Sequence, residues 1–332
     1  MHVDNATGVK VFSVYRRNAS ELGAIVQDTR ARTILVDIQD AGTRLYTYVW
    51  TLFDLMSAVA QLSPPLRPRF VVADRPNPLG GERVEGPVLN VSCCSSRYGR
   101  LAVPHRHGLT IGELARLFAH ALGERAPRLT VVPMRGWHRR LTYDQIINVP
   151  WIPPSPNLPT VQAALAYPVS VWLEATPNLT EGRGTSLPFS LVGAPGLNGS
   201  SLASRLNACD GEHAAAAAWR TAPFVPTWWK FEGSSCGGVQ LVRPPASPSG
   251  SLFDAAVHLL LALRDELPAR RLHWDGVWFG QPGHALVDRY AGTPRLREML
   301  DDPSVVADDF HAAFAPEAAA FERSRQRFLL YD

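Results

Sequence analysis

Short runs of apolar, mostly branched residues at 9–15, 33–38, 69–73 and 129–133 are separated by stretches with helical spacing. Runs this short and this apolar suit strands buried in a sheet. Leu52, Leu55, Met56, Val59 and Leu62 form one helical stripe that stops before Pro64 and Pro65. Thr110 and Glu113 have the spacing of a capping box, which opens a helix through Leu122. Strand alternating with helix requires a parallel, doubly wound sheet with helices on both faces. The class expected is α/β.

Periodicity fades between Arg140 and Pro150. The expected division is an incomplete Rossmann-like parallel-sheet domain over 1–145 and an α+β auxiliary domain over 146–332. The second part reads as a strand at 170–173, a low-complexity helical patch at 214–218, a helix over 253–267 and a final helix over 315–330. Residues 223–226 and 244–251 read as loops. No internal repeat is visible.

Hydrophobic content of 46% with 19% charged residues describes a globular chain. A net charge of +3 without a basic cluster argues against nucleic-acid binding. The longest apolar run, 255–263, is broken by His258 and does not make a membrane span. Cys93, Cys94, Cys209 and Cys236 show no zinc spacing and read as buried free thiols. Asn5, Asn18, Asn90, Asn178 and Asn198 each begin an Asn-x-Ser/Thr sequon, five among nine asparagines, which points to a glycosylated, secretory route.

Parallel sheets bind ligands beyond the carboxyl ends of their strands. Asp37, Asp40 and Arg44 leave the second run there, and Asp74, Arg75 and Asn77 leave the third. Equally, these residues could cap turns or pair with one another. Residues 151–157 hold three prolines beside Ser155 and Asn157, a stiff loop of the kind that carries binding groups. Glu181 and Arg183 flank one glycine and precede another, where backbone can approach a ligand closely. His105 and His107 have no third ligand spaced nearby, so no metal is expected. Neither Gly-x-Gly-x-x-Gly nor Gly-x-Ser-x-Gly follows a strand, which argues against a dinucleotide cofactor and against a hydrolase triad.

The ordered phrases Val36-Asp-Ile-Gln-Asp40, Gly42-Thr-Arg-Leu-Tyr-Thr-Tyr48, Asp74-Arg-Pro-Asn-Pro78, Val84-Glu-Gly-Pro87, Arg106-His-Gly-Leu-Thr110 and Glu181-Gly-Arg-Gly-Thr185 resemble the NamZ-type exo-β-N-acetylmuramidases. The resemblance runs from about Thr7 to Tyr331. Family members usually begin with roughly a hundred further residues, about half a domain, including a Pro-Glu-His-Gly motif with a catalytic glutamate. The chain is therefore expected to be truncated, with a targeting segment lost upstream and an extracytoplasmic location, or cytoplasmic if Met1 is the true start. Val169 and Pro177 also depart from the family pattern.

The resemblance implies release of terminal N-acetylmuramic acid from peptidoglycan fragments. It makes Glu85 the catalytic carboxylate, with Glu181 as runner-up. Arg44, Arg75 or Arg183 would pair with the lactyl carboxylate, and Tyr46, Tyr48 and Trp151 would face the sugar ring. His107 would hydrogen-bond sugar or backbone. The competing expectation is a degenerate carbohydrate-binding protein without chemistry. Oligomeric state stays open.

Overall fold

The computed structural model describes residues 1–146, 149–208, 217–242, 250–267, 270–275 and 285–332. It begins with a two-residue antiparallel hairpin, β1 (His2–Val3) and β2 (Lys10–Val11). The longer strand expected over 9–15 does not form. Val9 and Val11 are 59% and 37% exposed, so branched side chains there have no sheet face to pack on.

After α1 (Ala19–Thr29) come β3 (Thr33–Val36), α2 (Tyr48–Ala60) and β4 (Arg69–Ala73). β5 (Glu85–Val88) pairs antiparallel with β6 (Pro104–Arg106) across the short helix α3 (Val91–Cys94). α4 (Ile111–Leu122) and β7 (Leu129–Val132) follow. Strands β3, β4 and β7 form a parallel sheet in that order, with Ile34 opposite Phe70 and Phe70 opposite Leu129. Val36, Phe70 and Val72 share a buried core with α2 and α4. Helices were expected on both faces, but the opposite one leaves Leu35 and Val132 67% and 51% exposed. The capping box opens α4 as expected, and Arg139 reaches Glu113 as well (2.7 Å).

The second core gathers α5 (Val161–Ser170), β8 (Leu191–Ala194), α6 (Gly199–Asn207), β9 (Ala218–Thr221), β10 (Gly237–Val242) and α7 (Leu252–Glu266). Its antiparallel sheet has the order β8-β10-β9. α8 (Leu286–Ala291), α9 (Arg295–Asp301) and α10 (Ala307–Arg325) complete the chain. α10 packs along β5 and delivers Phe321 to the first core. The class is α/β, with one parallel sheet and further antiparallel ones.

Three further expectations need correction. Residues 170–173 are not a strand: α5 runs into a 3-10 turn at Val171–Ala175. Every residue from Ala163 to Leu173 is buried, and a run apolar on all sides has no period to tell helix from strand. The last helix starts at Ala307 rather than 315, because Pro316 lies on its exposed side, where the unpaired carbonyl meets water. Cys93 and Cys94 are joined to each other rather than free, Cys236 is a buried thiol, and Cys209 lies outside the described residues. Finally, Asn18, Asn90 and Asn198 are helix N-caps whose side chains accept backbone amides. That role gives asparagine itself a local structural use at three of the five sequons. Of the helical patch at 214–218, residues 214–216 lie outside the described residues, and Ala218 opens β9. Residues 244–249 of the expected loop also lie outside them.

Candidate active site

The proline loop is pinned at both ends. The Trp151 indole donates to the Leu158 carbonyl (3.0 Å) and stands edge-on to Tyr143, with ring centroids 4.8 Å apart. Within it, the Asn157 amide donates to Ser155 Oγ (3.2 Å). Ser155 and Asn157 thereby line a cleft of about 390 Å³. Tyr46 and Tyr48 stand beside them, 4.8 Å apart, and Tyr46 meets Tyr167 edge-on. Trp228, Glu174 and Arg183 close the remaining wall. Burial, with the Tyr48 phenol beside it, holds the Tyr46 phenol far above its ordinary pKa, so it stays a protonated donor. Aromatic walls with a few fixed polar groups suit a ligand with apolar ring faces and hydroxyl edges.

The Glu181-Gly-Arg-Gly-Thr185 loop supports that wall from below. Glu181 is fully buried, and its Oε1 accepts from Arg183 Nη1 (3.0 Å) and the Trp229 indole (3.0 Å). Lys230 Nζ lies 3.4 Å from the other oxygen and donates to the carbonyls of Leu173 (2.6 Å), Thr176 (2.9 Å) and Leu179 (3.1 Å). Arg183 also pairs with Glu174, whose Oε2 accepts from the Tyr290 hydroxyl (2.6 Å). Burial works to raise the Glu181 pKa, but Lys230 and Arg183 outweigh it and hold the carboxyl below its usual value. For Arg183, burial works downward, and Glu174 and Glu181 overcome it, so the guanidinium stays charged. Gly184 has φ +83°, and a Cβ there would collide with the Trp228 carbonyl. Glycine thus lets the two loops close on each other.

The structure separates the other residues singled out in the sequence. Asp37 and Arg75 pair at 2.5 Å in an adjoining cavity that shares Tyr15 and Tyr48 with the cleft. Asp40 and His107 are buried together, with His107 Nε2 3.4 Å from Asp40 Oδ2. Asp74 accepts from Thr110 Oγ1 (2.7 Å), the Gly112 amide (2.7 Å) and the Tyr331 hydroxyl (2.6 Å), so it fixes the start of α4. Asn77 bridges Leu79 and Leu109. Arg44 is wholly buried and donates to the carbonyls of Tyr98 (3.0 Å) and Tyr290 (2.7 Å), and burial pushes its pKa down to about 9. His105 turns to the Pro168 carbonyl (3.0 Å) and away from His107, with burial pushing it down to about 3.

Glu85 lies in a different cavity, of about 450 Å³, beside α10. Its Oε1 accepts from Arg106 (2.6 Å), and its Oε2 from the Phe253 amide (3.1 Å) and Ser251 Oγ (3.2 Å). Tyr46, Ser155, Asn157 and Arg183 therefore share one cleft with Glu181 beneath it, whereas Glu85 stands apart. Among the described residues Glu174 is the carboxylate lining that cleft. Sequence reasoning assigns it to the end of the expected 170–173 strand, because it closes an apolar run. It also passed over Tyr15, Trp228, Trp229 and Lys230, although two adjacent tryptophans in a loop were a visible signal.

Comparison with known proteins gives matches along nearly the whole chain. The family profile "Exo-beta-N-acetylmuramidase NamZ, N-terminal" matches residues 1–162, and "Exo-beta-N-acetylmuramidase NamZ, C-terminal" matches 165–331. The chain is 33% identical over 330 residues to the peptidoglycan beta-N-acetylmuramidase NamZ of Bacillus subtilis (strain 168), covering 99% of this chain and 74% of that protein. A crystal structure of a DUF1343 family protein from Bacteroides fragilis NCTC 9343 aligns with a TM-score of 0.84 at 28% identity, over 99% of this chain and 82% of the other. A second DUF1343 family protein from the same organism aligns with a TM-score of 0.74 at 27% identity and the same coverage.

Proposed function

The chain belongs to the exo-β-N-acetylmuramidase NamZ family, and from that premise we propose that it releases terminal N-acetylmuramic acid from the non-reducing end of peptidoglycan fragments. The sugar lies in the cleft between Tyr46, Asn157 and Trp228, with Ser155 and Asn157 meeting its hydroxyls. Glu174 is the carboxylate facing the reacting bond. The observation that carries this reading is the Arg183–Glu174–Tyr290 array at an aromatic-walled cleft. A carboxylate fixed by a guanidinium and a phenol would stabilise the cationic transition state of glycoside cleavage. Glu85 lies outside that cleft and serves in this reading to hold Arg106 and the start of α7.

Turnover of a chromogenic muramide tests the proposal. Glu174→Gln should slow release by about 10²–10⁴-fold while sparing binding. Release at the unaltered rate by that variant would remove Glu174 from the chemistry.

One observation favours a second reading, a protein that binds the sugar without cleaving it. Glycosidases use two carboxyl groups, and among the described residues one lines the cleft. Tight binding of N-acetylmuramic acid with no release from the chromogenic substrate would support the second reading over the first.

A further inference from the structure

Beside the cleft lies a second cavity, of about 450 Å³, whose charge is one-sided. Arg16, Arg17, Arg97, Arg100 and Arg289 line it, against one lining carboxylate, Asp54. The whole chain carries only +3, so this is a strong local concentration of positive charge. Asp54 binds Arg100 through two hydrogen bonds (2.9 and 3.0 Å), and Glu21, outside the lining, pairs with Arg17 at 2.6 Å. The cavity is continuous with the cleft: Tyr15, Arg16, Thr47, Arg97 and Tyr98 line both.

The arginines at the junction lie beside aromatic rings. The Arg97 guanidinium lies 5.7 Å from the Tyr98 ring centroid, and that of Arg16 lies 5.4 Å from Tyr15. Guanidinium groups near aromatic rings keep a fixed plane and can offer paired donors to a carboxylate. Arg44, buried beneath, ties the segment bearing Arg97 to the one bearing Arg289 by donating to the Tyr98 and Tyr290 carbonyls. The Asn90 amide donates to the Gly292 carbonyl (2.9 Å) and makes a second tie between the same segments.

We infer that this arginine cavity is an anion subsite that takes the carboxylate-bearing substituent of the sugar held in the cleft. The inference rests on the reading of the cleft as an amino-sugar site. The chemistry recognised is a carboxylate reached through the 3-oxygen of a muramic acid. The lactyl acid itself presents one, and so does a short peptide amide-linked to it. N-acetylglucosamine presents none.

Binding to the full chain, followed by calorimetry and by ligand-observed NMR, tests the subsite. The probes are N-acetylmuramic acid, a muramyl dipeptide, N-acetylglucosamine and lactate alone. Among the described residues Arg289 makes no hydrogen bond or ion pair, so Arg289→Gln removes charge without breaking one. Arg97→Gln with Arg289→Gln is the stronger variant, and its thermal unfolding is compared with the unaltered chain. The double variant should bind N-acetylmuramic acid about tenfold more weakly or worse, with N-acetylglucosamine unchanged. Arg289→Gln alone should give part of that loss, and added salt should narrow the preference in the unaltered chain. A dipeptide weakened as much as the free acid assigns the subsite to the peptide carboxylates too, and a dipeptide unaffected by both changes confines it to the lactyl group. An unchanged ratio between muramic acid and glucosamine in a folded double variant would overturn the subsite and leave the cleft reading intact. Lactate bound by the unaltered chain and lost in the double variant, with neither sugar bound, would keep the subsite and sink the cleft reading.

Discussion

Two glutamate–arginine pairs, Glu85–Arg106 and Glu174–Arg183, sit in different surroundings: Glu85 stands directly before Gly86 and Pro87, and Glu174 closes an apolar run. Glu85 is buried at the junction of β5, β6 and α7, where Arg106, a backbone amide and Ser251 satisfy its oxygens. Its cavity is lined by Phe253, Phe314 and the alanines of α10 on one side and by Arg83, Asp254, His311 and Glu322 on the other. Glu174 is held by Arg183 and Tyr290 on a wall of tyrosines and tryptophans, with further cations beneath it. A carboxylate bound to a backbone amide 168 residues away in the chain joins two cores, whereas one at an aromatic cleft can meet a ligand. The two carboxylates differ in partners and in the cavity each one lines, a difference that local spacing does not carry.

The comparison can be broken most easily at Glu85. Glu85→Ala would leave Arg106 buried without its partner, at a cost of about 3–5 kcal/mol, read by denaturant unfolding. A loss below about 1 kcal/mol, the range of exposed pairs, would mean the site is not a structural junction. At the cleft, Trp228→Ala should weaken N-acetylmuramic acid binding by about 0.5–1.5 kcal/mol with little change in stability, measured by titration and melting. Acid sharpens the contrast beneath the cleft. The folded pKa of Glu181 lies below its unfolded value near 4.5, so the unfolded state binds more protons between the two. The stability Glu181 contributes is complete above about 4.5 and is lost as pH falls through the lower, folded pKa. Glu181→Gln should flatten that part of the stability curve. The smallest effect belongs to the part-exposed Asp37–Arg75 pair, where Arg75→Ala should cost no more than about 1 kcal/mol by chemical denaturation.

Much of the first half is legible because its signals are local. β3, β4 and β7 show as branched runs, and the Thr110–Glu113 box announces α4. The proline loop and the Glu181–Arg183 turn also bring Ser155, Asn157 and Arg183 to the cleft that their composition suggested. What the sequence hides is set by distant partners. Glu174 sits in a segment buried on every side, which reads equally as strand or helix. Asp74 and Asn77 leave a strand end as ligand-binding residues would, but their partners at Thr110, Tyr331 and Leu109 arrive from elsewhere in the chain. Sequence spacing contains no sign of the Lys230 contacts to four separate carbonyls.

A crystal structure of the chain with N-acetylmuramic acid tests the central claim most directly. The account predicts the sugar between Tyr46 and Trp228, with Glu174 and Arg183 at its edge and its lactyl carboxylate turned toward Arg97. Sugar bound in the cavity beside Glu85, with the aromatic cleft empty, would contradict it.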